Sequence, residues 1–195
     1  MAESGLSLRQ FDAIAFGVGP GSFTGLRIGL STAQGLAYGA DLPLIPISTL
    51  KAMAQTAMRV GLAEVSQVIV PMIDARMNEV YCSAYQQNQE TGQLVELQKE
   101  TIISPEDVIA SPWLSEMQGF AAVGSGWHYD CLSTAQAKAV TIDAYPEAHD
   151  MAILAQTILE QDGNDTMLSP LAAVPTYMRD EISWKKRQRI RDKSL

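Results

Sequence analysis

Residues 17–27 read GVGPGSFTGLR. They follow the apolar run from Phe11 to Phe16 and open a helix-like segment that reaches Gly39. A strand that passes through a glycine-rich turn into a helix presents free backbone N–H groups, which suit an anion or a closely packed partner. Gly19, Gly21 and Ser22 are therefore candidate anion contacts. The stretch lacks a Gly-Lys-Ser/Thr P-loop ending and a full Gly-x-Gly-x-x-Gly unit, so a structural turn is the favoured interpretation.

The composition is that of a folded protein. The chain has 195 residues, of which 47% are hydrophobic and 18% charged, enough for one large or two small domains. No apolar run is long enough for a transmembrane helix, and residues 1–5 lack the basic and apolar parts of a signal peptide. Cys82 and Cys131 do not make a disulfide framework. We expect a cytoplasmic protein with free thiols.

The formal net charge of −8 is unevenly distributed. The segment 184–195 has a net charge of +5, which leaves −13 on the rest of the chain. An acidic body is a poor platform for nucleic acid. The basic segment is either a solvated terminal charge run, which we favour, or a contact for phosphates.

Periodicity and turn signals predict an α/β protein in the order β-α-β-α, then β-β-β-α-β-α, with a boundary near residues 61–67. Ser48 and Ser104 are predicted helix N-caps, and Pro105 suits a first helical position. Pro71 is unfavourable in a buried strand because it has no N–H group to donate a hydrogen bond to a neighbouring strand. The predicted strands are 11–16, 68–73, 79–85, 93–103 and 120–123, with one more between the first two helices. The helices after the first begin at Ser48, Ser104 and Pro146.

The segment 22–39 contains four glycines, Gly25, Gly29, Gly35 and Gly39. Each interior glycine costs a helix about 1 kcal/mol relative to alanine, so several need a compensating reason. Small residues at four-residue spacing allow another backbone to approach closely. The segment therefore predicts either a helix that docks on a partner or close packing within its own domain. The candidate interface consists of Phe23, Gly25, Leu26, Gly29, Leu30, Ala33 and Ala37, and we expect this seam to be open or re-paired.

Several motifs together resemble the TsaB (YeaZ) family over essentially the whole chain. They are GPGSFTGLR at 19–27, QGLA at 34–37, ISTL at 47–50, IDAR at 73–76 with EVY at 79–81, VGSGW at 123–127 and PTYMR at 175–179. The resemblance implies an actin-like/Hsp70-like fold of two RNase-H-like α/β domains. These would be an incomplete N-terminal domain at 1–63, a C-terminal domain at 64–184 and a basic tail at 185–195. Family members usually begin with three further strands and a helix, so a shortened N-terminus is expected.

The resemblance also implies a function. The family works with TsaD and TsaE to place threonylcarbamoyl on the adenosine next to the anticodon of bacterial tRNAs that read ANN codons. Its members are taken to be non-catalytic partners of TsaD that also self-associate. We therefore expect no cofactor on this chain, ATP and Mg²⁺ used by the complex, tRNA reached only through the complex, and no membrane contact.

Other candidate sites carry weaker signals. Asp74 with Arg76 stands where an actin-like second domain has a phosphate hairpin, and an Asp there could hold hydrated Mg²⁺; a turn aspartate is the simpler interpretation. Gly124 and Gly126 follow a strand and could face a nucleotide. His128 and His149 lack ligands at metal spacing, so no metal site is expected. The alternative function is an actin-fold ATPase, or a glycoprotease-like peptidase that acts on TsaD.

Overall fold

The computed structural model describes residues 5–179. Within that range, four short 3-10 turns lie at Leu8–Gln10, Ser125–His128, Asp130–Thr134 and Gly163–Thr166. No helix in the described range is long and apolar enough to cross a membrane. The helices and strands are β1 (Ile14–Gly19), α1 (Phe23–Ala40), β2 (Leu44–Ser48), α2 (Thr49–Arg59), β3 (Val68–Arg76), β4 (Glu79–Gln87), β5 (Leu94–Ile103), α3 (Pro105–Ala110), α4 (Pro112–Ser115), β6 (Phe120–Val123), β7 (Ala137–Thr141) and α5 (Ala148–Asp162).

The strands form two sheets. β1 and β2 pair in parallel, and the larger sheet has the order β5-β4-β3-β6-β7. In the larger sheet β3, β4 and β5 form an antiparallel meander, and β6 and β7 continue it in parallel from β3. The predicted element order is confirmed except that β7 and the four-residue helix α4 were missed. β7 is a short edge strand with three of its five residues exposed, so it lacks the apolar alternation of a half-buried strand.

Local signals placed two helix starts correctly, whereas the helix predicted from Pro146 begins two residues later, at Ala148. The Ser48 hydroxyl accepts a hydrogen bond from the Lys51 N–H at 3.1 Å, and the Ser104 hydroxyl accepts one from the Asp107 N–H at 3.0 Å. Both predicted N-caps are thus confirmed. Pro71 does lie in the central strand β3, where it pairs with Val123 at the last registered position of the β3–β6 ladder.

Four apolar clusters hold the layers together. One face of the larger sheet packs on α3 and α4, and the other packs on α2. α1 packs on one face of the β1–β2 pair, and α5 packs on the other. The chain after α5 returns to the first sheet, because Leu168 and Leu44 exchange two backbone hydrogen bonds of 2.8 Å. The predicted domain boundaries stay a prediction, and the predicted basic tail at 185–195 lies outside the described residues.

Candidate functional site

The glycine-rich loop is closed by the chain itself. Ser22 caps α1, since its hydroxyl accepts a hydrogen bond from the Gly25 N–H at 3.3 Å. Gly19 has a φ of +122°, and a Cβ there would lie 3.0 Å from the Thr176 carbonyl oxygen and 3.3 Å from Leu26. A Cβ on Gly21 would contact Leu26 as well. The absence of a Cβ at Gly19 therefore permits close approach of the Thr176 backbone, whereas Gly21 is not constrained in this way. Anion binding by Gly19, Gly21 and Ser22 stays a prediction.

Helix α1 buries three of the seven residues of the candidate interface inside its own chain. Leu30, Ala33 and Ala37 are 7%, 6% and 0% exposed and lie in the core with Phe16 and Ala173. They face β1 and β2 of the same chain. The expectation that the whole seam from Phe23 to Ala37 would be open or re-paired was therefore wrong, because the β1–β2 sheet covers its C-terminal half.

A second face of α1 is exposed and nearly free of charge. It carries Gly25, Ile28, Gly29, Thr32 and Leu36, and we call these residues the open face. Ile28 is 63% exposed and Leu36 is 40% exposed. A Cβ on Gly29 would meet no atom within 4 Å, so the surface there is flat and accessible. The candidate interface predicted from the sequence includes Gly25 and Gly29 but not Ile28 and Leu36.

The third flank of α1 is covered by an extended segment, residues 168–179, which we call the strap. Gln34 Nε2 donates to the carbonyls of Pro170 and Ala173 at 2.8 and 3.1 Å. The Thr176 N–H donates to the Val18 carbonyl at 2.9 Å. At its end, Arg179 binds the Glu79 carboxylate and the Ala75 and Arg76 carbonyls at the end of β3. The strap thus joins α1 and β1 to the hairpin of the larger sheet.

Phe23 and Leu26 lie at the N-terminal end of α1, apart from the open face. Phe23 is 49% exposed, and its ring stands 5.9 Å from the Tyr177 ring of the strap. The Arg27 guanidinium lies 3.6 Å above the Phe23 ring centre. Arg27 Nε also donates to the Tyr177 hydroxyl at 2.9 Å. We call the group of Phe23, Arg27 and Tyr177 the Arg27 cluster. The sequence did not predict it, because residues 27 and 177 are far apart in the chain.

Asp74, the candidate Mg²⁺ ligand, is held by neighbouring groups. Its carboxylate accepts hydrogen bonds from the Arg76 N–H at 2.9 Å and the Tyr129 hydroxyl at 3.1 Å, and it pairs with the Arg76 guanidinium at 3.1 Å. Burial and the Asp74 contact raise the pKa of Tyr129. Arg76 has a φ of +63° in the turn that Asp74 closes. The structure therefore gives Asp74 and Arg76 a turn-forming role, and a nucleotide contact stays a prediction.

Gly124 and Gly126 pack directly against strand β3. A Cβ on Gly124 would lie 2.3 Å from the Met72 carbonyl oxygen, and one on Gly126 would lie 2.6 Å from Met72 Cβ. Only residues without a Cβ allow this approach. Both glycines therefore have a structural reason to be present, independent of the nucleotide contact that the sequence suggested.

The histidines and cysteines do not converge. His128 lies in the turn after β6 and its Nδ1 donates to the Ser125 carbonyl at 2.6 Å, whereas His149 lies in the first turn of α5. Among residues 5–179, no three His, Cys, Asp or Glu side chains are grouped as metal ligands. Burial raises the pKa of the Cys82 thiol to about 12, so this thiol stays protonated at neutral pH.

A half-buried carboxylate joins the N-cap of α2 to the larger sheet. Glu100 of β5 accepts hydrogen bonds from the Ser48 hydroxyl and, at 3.0 Å, from the Tyr85 hydroxyl. Burial raises the pKa of Glu100, and these two hydrogen bonds only partly offset the effect. Burial also raises the pKa of Tyr85.

Because the pKa of Glu100 is raised in the folded state, ionisation of this group opposes folding as the pH rises through its folded pKa. Glu100→Gln is neutral at every pH, so its stability relative to the native chain should increase as the pH rises from the ordinary glutamate pKa, about 4.5, through the raised pKa of the folded state. Urea denaturation across this range measures the difference. Glu90→Gln, at the exposed β4–β5 turn, should show no such trend. A stability difference between the native chain and the Glu100→Gln variant that is independent of pH would contradict the prediction.

Comparison with known proteins is consistent with this fold. Residues 1–185 match the family model described as TsaD, tRNA N6-adenosine threonylcarbamoyltransferase. The tRNA threonylcarbamoyladenosine biosynthesis protein TsaB of Haemophilus influenzae is 44% identical, and the alignment covers 95% of this chain and 78% of that protein. TsaB of Escherichia coli is 38% identical with the same coverage of both chains.

Two solved structures have a similar fold. YeaZ from Pseudomonas aeruginosa superposes with a TM-score of 0.77 at 33% identity, over 90% of this chain and 79% of that one. A crystal structure described as a P. aeruginosa protein with similarity to peptidase YeaZ gives 0.79 at 35% identity, over 91% and 78%. The predicted α/β, actin-like/Hsp70-like (RNase-H-like) fold is confirmed. The chain belongs to the TsaB (YeaZ) family.

Proposed function

We propose that this chain serves tRNA threonylcarbamoyladenosine biosynthesis as a non-catalytic partner of a TsaD-type transferase, and that it docks through the open face of α1. The biosynthetic role rests on family membership. The docking role is our own inference, and the observation that carries it is the exposed, uncharged and glycine-rich face of a helix whose opposite side packs on β1 and β2.

The open face has the properties of a close helix contact. Gly25 and Gly29 lie one turn apart, so a partner backbone can approach the helix axis there. Ile28 and Leu36 add apolar area beside them, and α1 contains Arg27 as its single charged residue. Depletion of charge is typical of interface cores. The glycines therefore have a reason to be in a helix interior, where they otherwise reduce stability.

The contacts of Asp74 support a non-catalytic role. Three hydrogen-bonding or ionic contacts from Arg76 and Tyr129 hold its carboxylate in the turn. An acid occupied in this way is poorly placed to bind hydrated Mg²⁺. We accordingly assign ATP and Mg²⁺ to the complex with TsaD and TsaE.

Gly29→Trp tests the docking surface. The added ring meets no atom of the chain itself within 4 Å at its Cβ, so the variant should fold normally. In the complex the ring would separate the helices, and we expect affinity for the TsaD-type transferase to fall about 100-fold, roughly 3 kcal/mol. Calorimetric titration of the transferase with each variant measures this loss. Ala152→Trp, at an exposed position of α5, is the matched control and should bind normally.

Undiminished binding of the Gly29→Trp variant would refute the docking face. Self-association through the same face would compete with the transferase, so sedimentation of the two variants should reveal a weaker dimer for Gly29→Trp only.

The enzymatic alternative is tested by a separate measurement. ATP hydrolysis or TsaD cleavage by the purified chain, abolished by Asp74→Ala, would contradict a non-catalytic role.

A further inference from the structure

The two outer edges of the smaller sheet differ. On β2, the backbone groups of Leu44 point away from β1 and exchange two hydrogen bonds with Leu168. Pro46, the next residue of β2 that faces outward, has no N–H group to donate. A proline or an existing neighbour on an edge strand prevents another strand from pairing there. The outer edge of β2 is therefore closed, and a further strand can join this sheet only at β1.

The outer edge of β1 carries unpaired backbone groups. The Ile14 N–H donates toward β2 at 3.0 Å, so the alternation of the strand directs the N–H and C=O groups of Ala15 and Gly17 away from β2. No backbone hydrogen bond from within residues 5–179 reaches these outward groups. No charged residue occurs at positions 13–21, so this edge lacks the charges that usually repel a neighbouring strand.

Both faces of β1 are covered by the chain itself. Ile14, Phe16 and Val18 pack on the α1 side, and Ala13 and Ala15 pack on the α5 side. Only the edge of the strand is left for an external contact. A partner for that edge must supply its own N–H and C=O groups at the spacing of a strand, so its chemistry is that of an extended polypeptide.

The open face of α1 points to the same side as this edge. The strap reaches α1 from the β2 side, because it begins at Leu168 beside Leu44 and its carbonyls accept hydrogen bonds from Gln34. Gln34 follows Gly25 by nine residues, or about two and a half helical turns, so these two residues lie on opposite sides of α1. The open face is therefore turned away from the strap and toward the β1 edge.

We propose that a second copy of this chain pairs with the outer edge of β1, antiparallel, about a twofold axis that passes between the two copies of Phe16. In this register Ala15 of each copy exchanges its outward hydrogen bonds with Gly17 of the other. Ile14 of each copy lies opposite Val18 of the other, on the face that α1 covers. The two smaller sheets become one continuous sheet with β1 and its counterpart at the centre.

The same pairing brings the two α1 helices together. A twofold axis perpendicular to the sheet keeps both helices on one face and turns their open faces toward each other. Helices that lie over adjacent pairs of strands are separated by two strand spacings, about 10 Å. Helices pack against each other at this distance. A second copy is the favoured occupant because one symmetry operation satisfies both the strand edge and the helix face. The inference goes beyond the proposed docking on a transferase and does not rest on it.

Sedimentation velocity and residue-resolved amide exchange of the purified chain test the proposal. The native chain should dimerise as its concentration rises, and the Ala15 and Gly17 amides should become protected over the same range. Ala15→Pro removes an outward N–H that the chain itself does not use, and it should raise the dissociation constant of the dimer at least about tenfold. Ile28→Lys places like charges near the twofold axis and should also weaken the dimer. Leu171→Lys, at an 84% exposed position of the strap, is the matched control and should dimerise normally.

A folded native chain that stays monomeric up to millimolar concentration would overturn the proposal. So would an undiminished dimer of Ala15→Pro, or a dimer in which the Ala15 and Gly17 amides exchange as fast as in the monomer. Protection of these amides at every concentration would assign the edge to another part of the same chain. Protection only on addition of a TsaD-type transferase would assign it to that protein, and either result contradicts a second copy.

Two further comparisons keep the test decisive. If Ala15→Pro does not fold, Ile28→Lys and the exchange of the Ala15 and Gly17 amides in the native chain decide the question. Ala15→Pro leaves the open face of α1 unchanged and should bind the transferase at least as well as the native chain. Failure of the docking proposal is therefore distinguishable from failure of this one.

Discussion

Gly124→Ala should destabilise the chain by about 4 kcal/mol, which is a large part of the stability of a typical domain. Gly124 has φ and ψ of 98° and 170°, a region that is essentially restricted to glycine and costs other residues about 1–3 kcal/mol. The new methyl group would also lie 2.3 Å from the Met72 carbonyl oxygen and from Met53 Cε. Met53 can move, but the carbonyl belongs to the central strand β3 and cannot move without disturbing the sheet.

Urea denaturation monitored by circular dichroism measures this effect. Gly35→Ala is the matched control, because it makes the same chemical change in a helix where no atom lies within 4 Å of the new Cβ. That variant should gain up to about 1 kcal/mol from better helix propensity. Equal stability of the two variants would show that the close contact between β3 and the turn after β6 does not constrain the fold.

Asp150→Ala should destabilise the chain by about 3 kcal/mol, since it removes the buried acceptor that joins α5 to α2. The Asp150 side chain is 0% exposed. Its carboxylate accepts a hydrogen bond from Arg59 Nε at 2.9 Å and one from the Thr56 hydroxyl at 2.8 Å. Burial alone would raise the pKa of Asp150, but hydrogen bonds from Arg59 and Thr56 outweigh it and lower the pKa. The hydrogen bond to Asp150 and the charges of Asp150 and Glu147 raise the pKa of Arg59.

A carboxyl group whose pKa is lowered on folding contributes stability above its unfolded pKa, near 3.9, and loses it as the pH falls through the folded value. The difference between the native chain and Asp150→Asn should therefore be constant from about pH 5 to 8 and shrink below about pH 4. Denaturation curves at pH 7 and near pH 3 measure it. Glu147→Gln removes an outer, 53% exposed partner of Arg59 and should cost no more than about 1 kcal/mol. Equal losses of stability in Glu147→Gln and Asp150→Asn would contradict the assignment of Asp150 as the buried acceptor between α5 and α2.

Local signals in the sequence were sufficient for most elements. Ser48 and Ser104 begin helices because their hydroxyls satisfy backbone N–H groups a few residues away, and this depends only on nearby residues. The β4–β5 hairpin followed from a turn sequence between two apolar strands. β7 could not be found in this way, because an exposed edge strand lacks an apolar pattern.

The sequence by itself determined the family, the α/β class and the presence of a glycine-rich helix after a tight turn. It could not determine which face of α1 is buried, because small or apolar residues occur on more than one side of that helix and periodicity does not fix their orientation toward the sheet. Contacts with β1, β2 and the strap made that choice: they buried Leu30, Ala33 and Ala37 and left Gly25 and Gly29 open. The opening glycine-rich stretch also obtained its structural role from distant residues, since Thr176 closes the loop at Gly19. The strap contacts join residues well over a hundred positions apart, so only the folded chain shows them.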